Sequence, residues 1–240
     1  MCVRSSHERE AGVNHRAVIR LAETNVWEWY GAPMIVRLAA LLTALGSLTL
    51  ALPATAAPPH ASERAVLAGG CFWGMEAVFE SLKGVTRVVS GFSGGNAVTA
   101  HYEIVSTGMT GHAESVEITY DPAQISYAKL LDVFFTVAHD PTELDYQGPD
   151  HGTQYRSAIF YANDAQKRVA EATIRELSAR HAYPAPIVTK VVPLTAFYPA
   201  EAYHQHFIAK NPDYPYVVYN DLPKLKELHK RFPGLVKPHA

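Results

Sequence analysis

Apolar residues recur along the chain with two different periods, and the switches between them mark out the elements. Residues 63–69 alternate into an apolar run that stops at Gly69-Gly70, which predicts a strand closed by a tight turn. Directly afterwards Phe72, Met75, Glu76, Phe79 and Leu82 fall three and four apart, so 72–82 reads as a helix and Cys71 sits at the strand-to-helix turn. The β-branched stretch 85–92 predicts a strand, followed by a loop at Ser93-Gly-Gly-Asn96. Residues 101–105 and 115–120 read as two further strands around the turn 107–111, the second stopped by Asp121-Pro122. Next come a helix from Ser126 through Phe135, a polar loop over 140–154 and a strand over 157–161. A helix with Asp164 as N-cap runs to about His181, followed by a strand over 188–193 and a helix over 200–210. Strands and helices interleave, with some strands adjacent, which predicts a two-layer α+β fold with helices packed on a mixed sheet.

One segment fits neither period. Residues 38–52, LAALLTALGSLTLAL, are fifteen uncharged, mostly apolar positions preceded by Arg37 and followed by Pro53-Ala-Thr-Ala-Ala57. A spanning helix needs about 20 apolar residues. Ala54 and Ala56 stand at the small-residue places of an A-x-A cleavage site, so the segment reads as a secretory signal. Residues 1–33 are polar and patternless and precede a second methionine, Met34, from which translation would give a normal leader. The expected organisation is a leader over 1–56, with 1–33 not made and 34–56 the signal peptide, then a single catalytic domain over 57–240. Export to the periplasm is expected.

Charge narrows the partners. The net charge of -2, from 21 basic and 23 acidic side chains, provides no basic field for nucleic acid and no polybasic membrane anchor. Cysteine narrows the chemistry: only Cys2 and Cys71 occur, too few for a cysteine-rich zinc site, and removal of the leader leaves Cys71 alone. In an oxidising compartment structural cysteines normally pair, so a lone thiol points to reactivity.

Cys71 follows two glycines at a helix start, where unpaired N–H groups favour thiolate and the backbone can approach a substrate. Phe72 and Trp73 beside it can wall a pocket for a methyl group. Glu114, if enclosed by aromatic side chains, would hold a proton near neutral pH, and Tyr102, Tyr155, Asp150 and His151 can hydrogen-bond an oxide or anion. The pairs His112–Glu114, His139–Asp140, Asp150–His151 and His204–His206 invite a metal reading. The spacings of zinc deaminases and H-E-x-x-H enzymes do not occur, and no metal is expected. Three classes stay open on these residues: a thiol redox enzyme, a cysteine peptidase or amidase pairing Cys71 with His112 or His151, and a binding module with a structural thiol.

The motifs Gly70-Cys-Phe-Trp-Gly74, Gly91-Phe-Ser-Gly-Gly95, Gly108-Met-Thr-Gly-His-Ala-Glu114, Tyr120-Asp-Pro, Ile125-Ser-Tyr127, His139-Asp-Pro-Thr142, Gln147-Gly-Pro-Asp-His-Gly-Thr-Gln-Tyr-Arg-Ser157 and Ala200-Glu-Ala-Tyr-His-Gln205 occur in this order. Together they resemble the peptide methionine sulfoxide reductase A family over about 64–222. The resemblance implies a two-layer α/β roll around a ferredoxin-like core and reduction of the S epimer of methionine sulfoxide, free or in proteins. It implies Cys71 as nucleophile, Phe72 and Trp73 as the methyl pocket, Glu114 as the acid, Tyr102 and Tyr155 as its hydrogen-bonding companions, and Asp150 as a further polar position. It further implies a monomer with no bound cofactor, recycled by a thioredoxin-like or glutaredoxin-like protein or a small thiol. Many relatives carry resolving cysteines, but Ser106 stands where some have one and 212–240 contain none, so no intramolecular disulfide is expected.

Overall fold

The computed structural model describes residues 61–238; the leader and Cys2 lie outside them. Strand β1 (Glu63–Ala68) leads into helix α1 (Phe72–Glu80), which returns to β2 (Val85–Ser93). β3 (Ala113–Tyr120) then inserts antiparallel between β1 and β2, pairing Val66 with Glu117 on one side and Phe92 with Glu114 on the other. Helix α3 (Tyr127–Val133) carries the chain to β6 (Ala158–Tyr161), antiparallel to β1 on its free edge. These six elements give the order β6-β1-β3-β2, the ferredoxin-like arrangement expected from the resemblance. Helix α4 (Asp164–Ala179) crosses over to β7 (Lys190–Pro193), which joins β6 in parallel and makes the sheet mixed. β8 (Phe197–Pro199) closes the opposite edge against β2. Both outer strands are short and end at proline.

Burial follows the strand period. On β1, Ala65 and Leu67 join Met75, Phe79 and Leu82 of α1 and Leu130 and Leu131 of α3 in the main core. Val66 and Ala68 face the other way, into a smaller cluster with Ala113, Ala158 and Phe160. A central strand buried on both faces needs the near-continuous apolar run that 65–68 supply.

Four expectations are corrected. Residues 101–105 are not a strand: helix α2 (Tyr102–Val105) forms there, and the Glu201 carboxylate accepts the Tyr102 N–H at 3.1 Å. The later backbone N–H groups of this stretch close a helical turn, Ile104 and Val105 onto the His101 carbonyl and Ser106 onto that of Tyr102. The N-cap of α4 is Asn163, whose side chain accepts the Gln166 N–H at 2.9 Å, leaving Asp164 in the first turn. Of the helix expected over 200–210 only α5 (Phe207–Lys210) is helical, because His206 takes a left-handed φ of 54° and breaks the run before it. Finally, the polar loop over 140–154 contains a small hairpin, β4 (Tyr146–Gln147) with β5 (Asp150–His151), and a terminal helix α6 (Leu222–Arg231) follows a π-helical turn over Val217–Asp221.

Candidate active site

Cys71 occupies the N-cap position of α1, and the turn that sets it there is pinned from outside. Gly70 holds φ 90°, and a Cβ on it would stand 2.5 Å from the Gln147 side chain. Gln147 is fixed in turn, accepting the Asp140 N–H at 2.7 Å and donating to the Asp140 carbonyl at 2.9 Å. Only glycine meets both the φ and the close approach, so the loop over 140–147 clamps the turn that carries Cys71.

Glu114 reaches the same turn from the sheet. It is the second residue of β3, 2% exposed, and its Oε2 accepts the Phe72 N–H at 3.1 Å. Burial pushes its carboxyl up to about 8; the Phe72 amide pulls the other way, and nearby Asp150 adds a further upward push. At neutral pH Glu114 therefore carries its proton.

The sequence-derived site residues converge on one cavity of about 190 Å³, lined by Cys71, Phe72, Trp73, Tyr102, Glu114, Asp150 and Tyr155. They arrive from α1, α2, β3, β5 and the short helical turn Thr153–Tyr155. Burial, and then the Glu114 carboxylate, push the Tyr102 phenol up to about 12, and Tyr155 moves the same way, so both remain donors. Asp150 accepts a short hydrogen bond from the Tyr216 hydroxyl, holding that ring against the pocket.

Residues near the C-terminus complete the wall. Tyr214 and Tyr216 line the cavity, presenting edges to Trp73 at 6.3 and 5.9 Å between ring centroids. Phe207 lies flat against the Trp73 indole at 3.7 Å with an interplanar angle of 6°, and the indole Nε1–H donates to His204 Nδ1 at 3.1 Å. Sequence reasoning missed Tyr214, Tyr216 and Phe207, although the aromatic and proline run Asp213-Tyr-Pro-Tyr216 was a visible signal.

The helix start is one of several influences on the sulfur. A helix start alone favours thiolate, and the Trp73 amide does pull the Cys71 pKa down. Burial outweighs it, however, and with the negative charges of Glu114 and Asp221 raises the thiol well above its ordinary value. Asp221 is fully buried against Gly74, where a Cβ would meet its Oδ1 at 2.3 Å, and its nearest cation, Lys224, stands 3.8 Å away. The resting site thus pairs a protonated thiol with a protonated carboxyl.

Acyl transfer by a thiol needs an imidazole within reach of the sulfur. His112 instead packs behind the sheet, Nδ1 accepting the Gly95 N–H at 3.3 Å and Nε2 near the Asn96 carbonyl at 3.0 Å. His151 is exposed and stacked on Tyr146, and no histidine lines the cavity. A thiol faced by an acid and aromatic walls, with no imidazole in the lining, places the protein among thiol-dependent oxidoreductases.

The chain belongs to the peptide methionine sulfoxide reductase family, whose family model matches residues 63–234. It is 58% identical over 174 residues to peptide methionine sulfoxide reductase MsrA 2 of Mesorhizobium japonicum, covering 72% of this chain and 89% of that protein. It is 52% identical over 176 residues to peptide methionine sulfoxide reductase MsrA of Thermus thermophilus, covering 73% and 98%. Among solved structures it is similar to reduced Mxr1 of Saccharomyces cerevisiae, with a TM-score of 0.59 and 34% identity over 64% of this chain and 87% of that one. Methionine sulfoxide reductase A of Corynebacterium diphtheriae is comparable, with a TM-score of 0.55 and 36% identity over 64% and 82%.

Proposed function

We propose that this chain reduces the S epimer of methionine sulfoxide, free or in proteins, to methionine, and thereby repairs oxidative damage. The observation that carries this reading is the buried Glu114, its carboxyl pushed up to about 8, sharing a small aromatic-walled cavity with the Cys71 thiol. Sulfoxide sulfur is a poor electrophile until its oxygen accepts a proton. Glu114 supplies that proton, Tyr102 and Tyr155 donate hydrogen bonds to the same oxygen, and the methyl group rests on Phe72 and Trp73. The Cys71 sulfur bonds to the substrate sulfur as the thiol proton passes to Glu114; that S–S bond and the substrate S–O bond then break as the hydroxyl oxygen moves to Cys71, leaving it a sulfenic acid. Methionine leaves reduced by two electrons and Cys71 remains oxidised by two.

The two sulfoxide epimers, supplied separately, test this: methionine is expected from the S epimer alone. With both protons needed in the starting state, kcat/KM is expected to hold below about pH 8 and fall about tenfold per pH unit above it, as Glu114 ionises. Turnover of neither epimer overturns the activity. A rate that climbs steadily through pH 8 identifies anionic Cys71 as the reacting form instead.

We further propose that the sulfenic acid is resolved from outside, by a thioredoxin-like or glutaredoxin-like protein or a small thiol. Cys71 is the sole cysteine among the described residues, and a sulfenic acid condenses with a thiol to give a mixed disulfide and water. The electrons pass through sulfur alone, without a bound cofactor. One equivalent of methyl sulfoxide without reductant should leave a trappable sulfenic acid on a monomer; rapid appearance of a Cys71-linked dimer during turnover rules this out.

The apolar segment 38–52 and its small-residue flank support export to the periplasm. Amino-terminal sequencing of protein from its host should find a start at or next to Ala57, and an intact residue 1 or 34 refutes export.

A further inference from the structure

Beside its catalytic end, α1 carries two carboxylates one turn apart, Glu76 and Glu80, and the turn before α5 sets His206 against them. One ligand atom from each of the three lies within 4.8 Å of the others. His206 Nδ1 stands 2.8 Å from Glu80 Oε1 and 3.9 Å from Glu76 Oε1. Atoms bound to a single zinc ion at about 2.1 Å are about 3.4 Å apart, so these spacings already bracket the triangle such an ion requires.

Glu76 is the telling member. It is 1% exposed; its Oε2 accepts the His206 backbone N–H at 2.9 Å, while Oε1, on the side of the imidazole, has no hydrogen-bond partner. Burial and then the Glu80 carboxylate push Glu76 up to about 7, against the His206 amide and imidazole and the Ser90 hydroxyl, which hold it down. A buried carboxylate oxygen left without a hydrogen bond, next to a second carboxylate, offers a lone pair to a cation. Access exists: a cavity of about 350 Å³ is lined by Glu76, Glu80 and His206 together with Lys237. The Lys237 ammonium is bound to the Glu80 main-chain carbonyl at 2.7 Å rather than to either carboxylate.

We propose that Glu76, Glu80 and His206 bind one divalent first-row transition ion of the zinc class, with water completing its coordination. Two carboxylates with one imidazole suit such an ion better than magnesium or calcium, which favour all-oxygen shells. The sequence offered no spacing for this site because His206 and Glu76 lie 130 residues apart. The ion's place also has a consequence for the wall of the substrate pocket. Trp73 lies one turn before Glu76 on α1, and Phe207, stacked on that indole, directly follows His206. Bound metal fastens together the two segments that carry this ring pair.

The test is calorimetric titration of the full chain with zinc, carried out in a Cys2→Ser, Cys71→Ser background so that neither thiol can serve as ligand. One saturable equivalent is expected, with a rise in thermal midpoint. Glu80→Gln and His206→Asn are each expected to weaken it at least tenfold and to abolish the rise. Both side chains are partly exposed, and asparagine tolerates the left-handed φ at 206. Absence of a saturable equivalent, or an affinity reduced less than tenfold in these variants, overturns the site.

Discussion

Serine at position 71 is expected to bring sulfoxide reduction to background, a loss on the order of 10⁴-fold or more, with the fold intact. The hydroxyl oxygen is a far weaker nucleophile than sulfur toward a sulfoxide and cannot store the transferred oxygen as a sulfenic acid. The described residues hold no second thiol that could substitute. The change is nearly isosteric at a position 7% exposed, so thermal unfolding should shift little. Methionine formed above background in a single turnover of this variant would remove Cys71 from the reaction.

Glu114→Gln is expected to lower kcat by on the order of 10² to 10⁴ with little change in binding. Glutamine fills the same buried volume and its carbonyl can still accept the Phe72 N–H, but it has no transferable proton. The variant also removes the carboxylate that, after burial, most strongly raises the Cys71 thiol. Its Cys71 should therefore be alkylated faster by a neutral reagent at mildly alkaline pH while sulfoxide reduction slows. Those opposite movements separate loss of the acid from general damage to the site, which would depress both or disorder the thiol. An unchanged kcat would transfer oxygen activation to Tyr102 and Tyr155.

The strands and long helices were legible because each buries a face with its own period: 65–68 as a doubly buried strand, 72–82 as a helix, 115–120 as the strand between its neighbours. The nucleophile turn was legible too, since Gly69-Gly70 before an amphipathic helix is a local signal. Glu114 is different. Nothing around it in the chain distinguishes it from a solvated surface carboxylate; its burial arises from β2–β3 pairing and the return of 102–105 and 153–155 over it, so the residues alone gave its role only on the condition of an enclosure the sequence does not display. The upward push on the Cys71 thiol was out of sight for the same reason. A helix start is visible in sequence, whereas Asp221, 150 residues later, is not visible as its neighbour. Residues 197–216 were read as one helix over 200–210 because the short strand, the turns and the left-handed histidine that interrupt it leave no mark in the apolar spacing.

The two outer strands bear on the company this enzyme keeps. Oxidised proteins are often loosened or partly unfolded, and such chains expose hydrogen-bonding backbone that extends any open sheet edge it meets. β7 spans four residues and β8 three, each ending in a proline that has no N–H to offer. A damaged client can thus present its oxidised side chain to the pocket without finding a long template along either rim of the sheet. Neither rim of the sheet therefore offers a long row of unpaired backbone groups on which a loosened chain could grow.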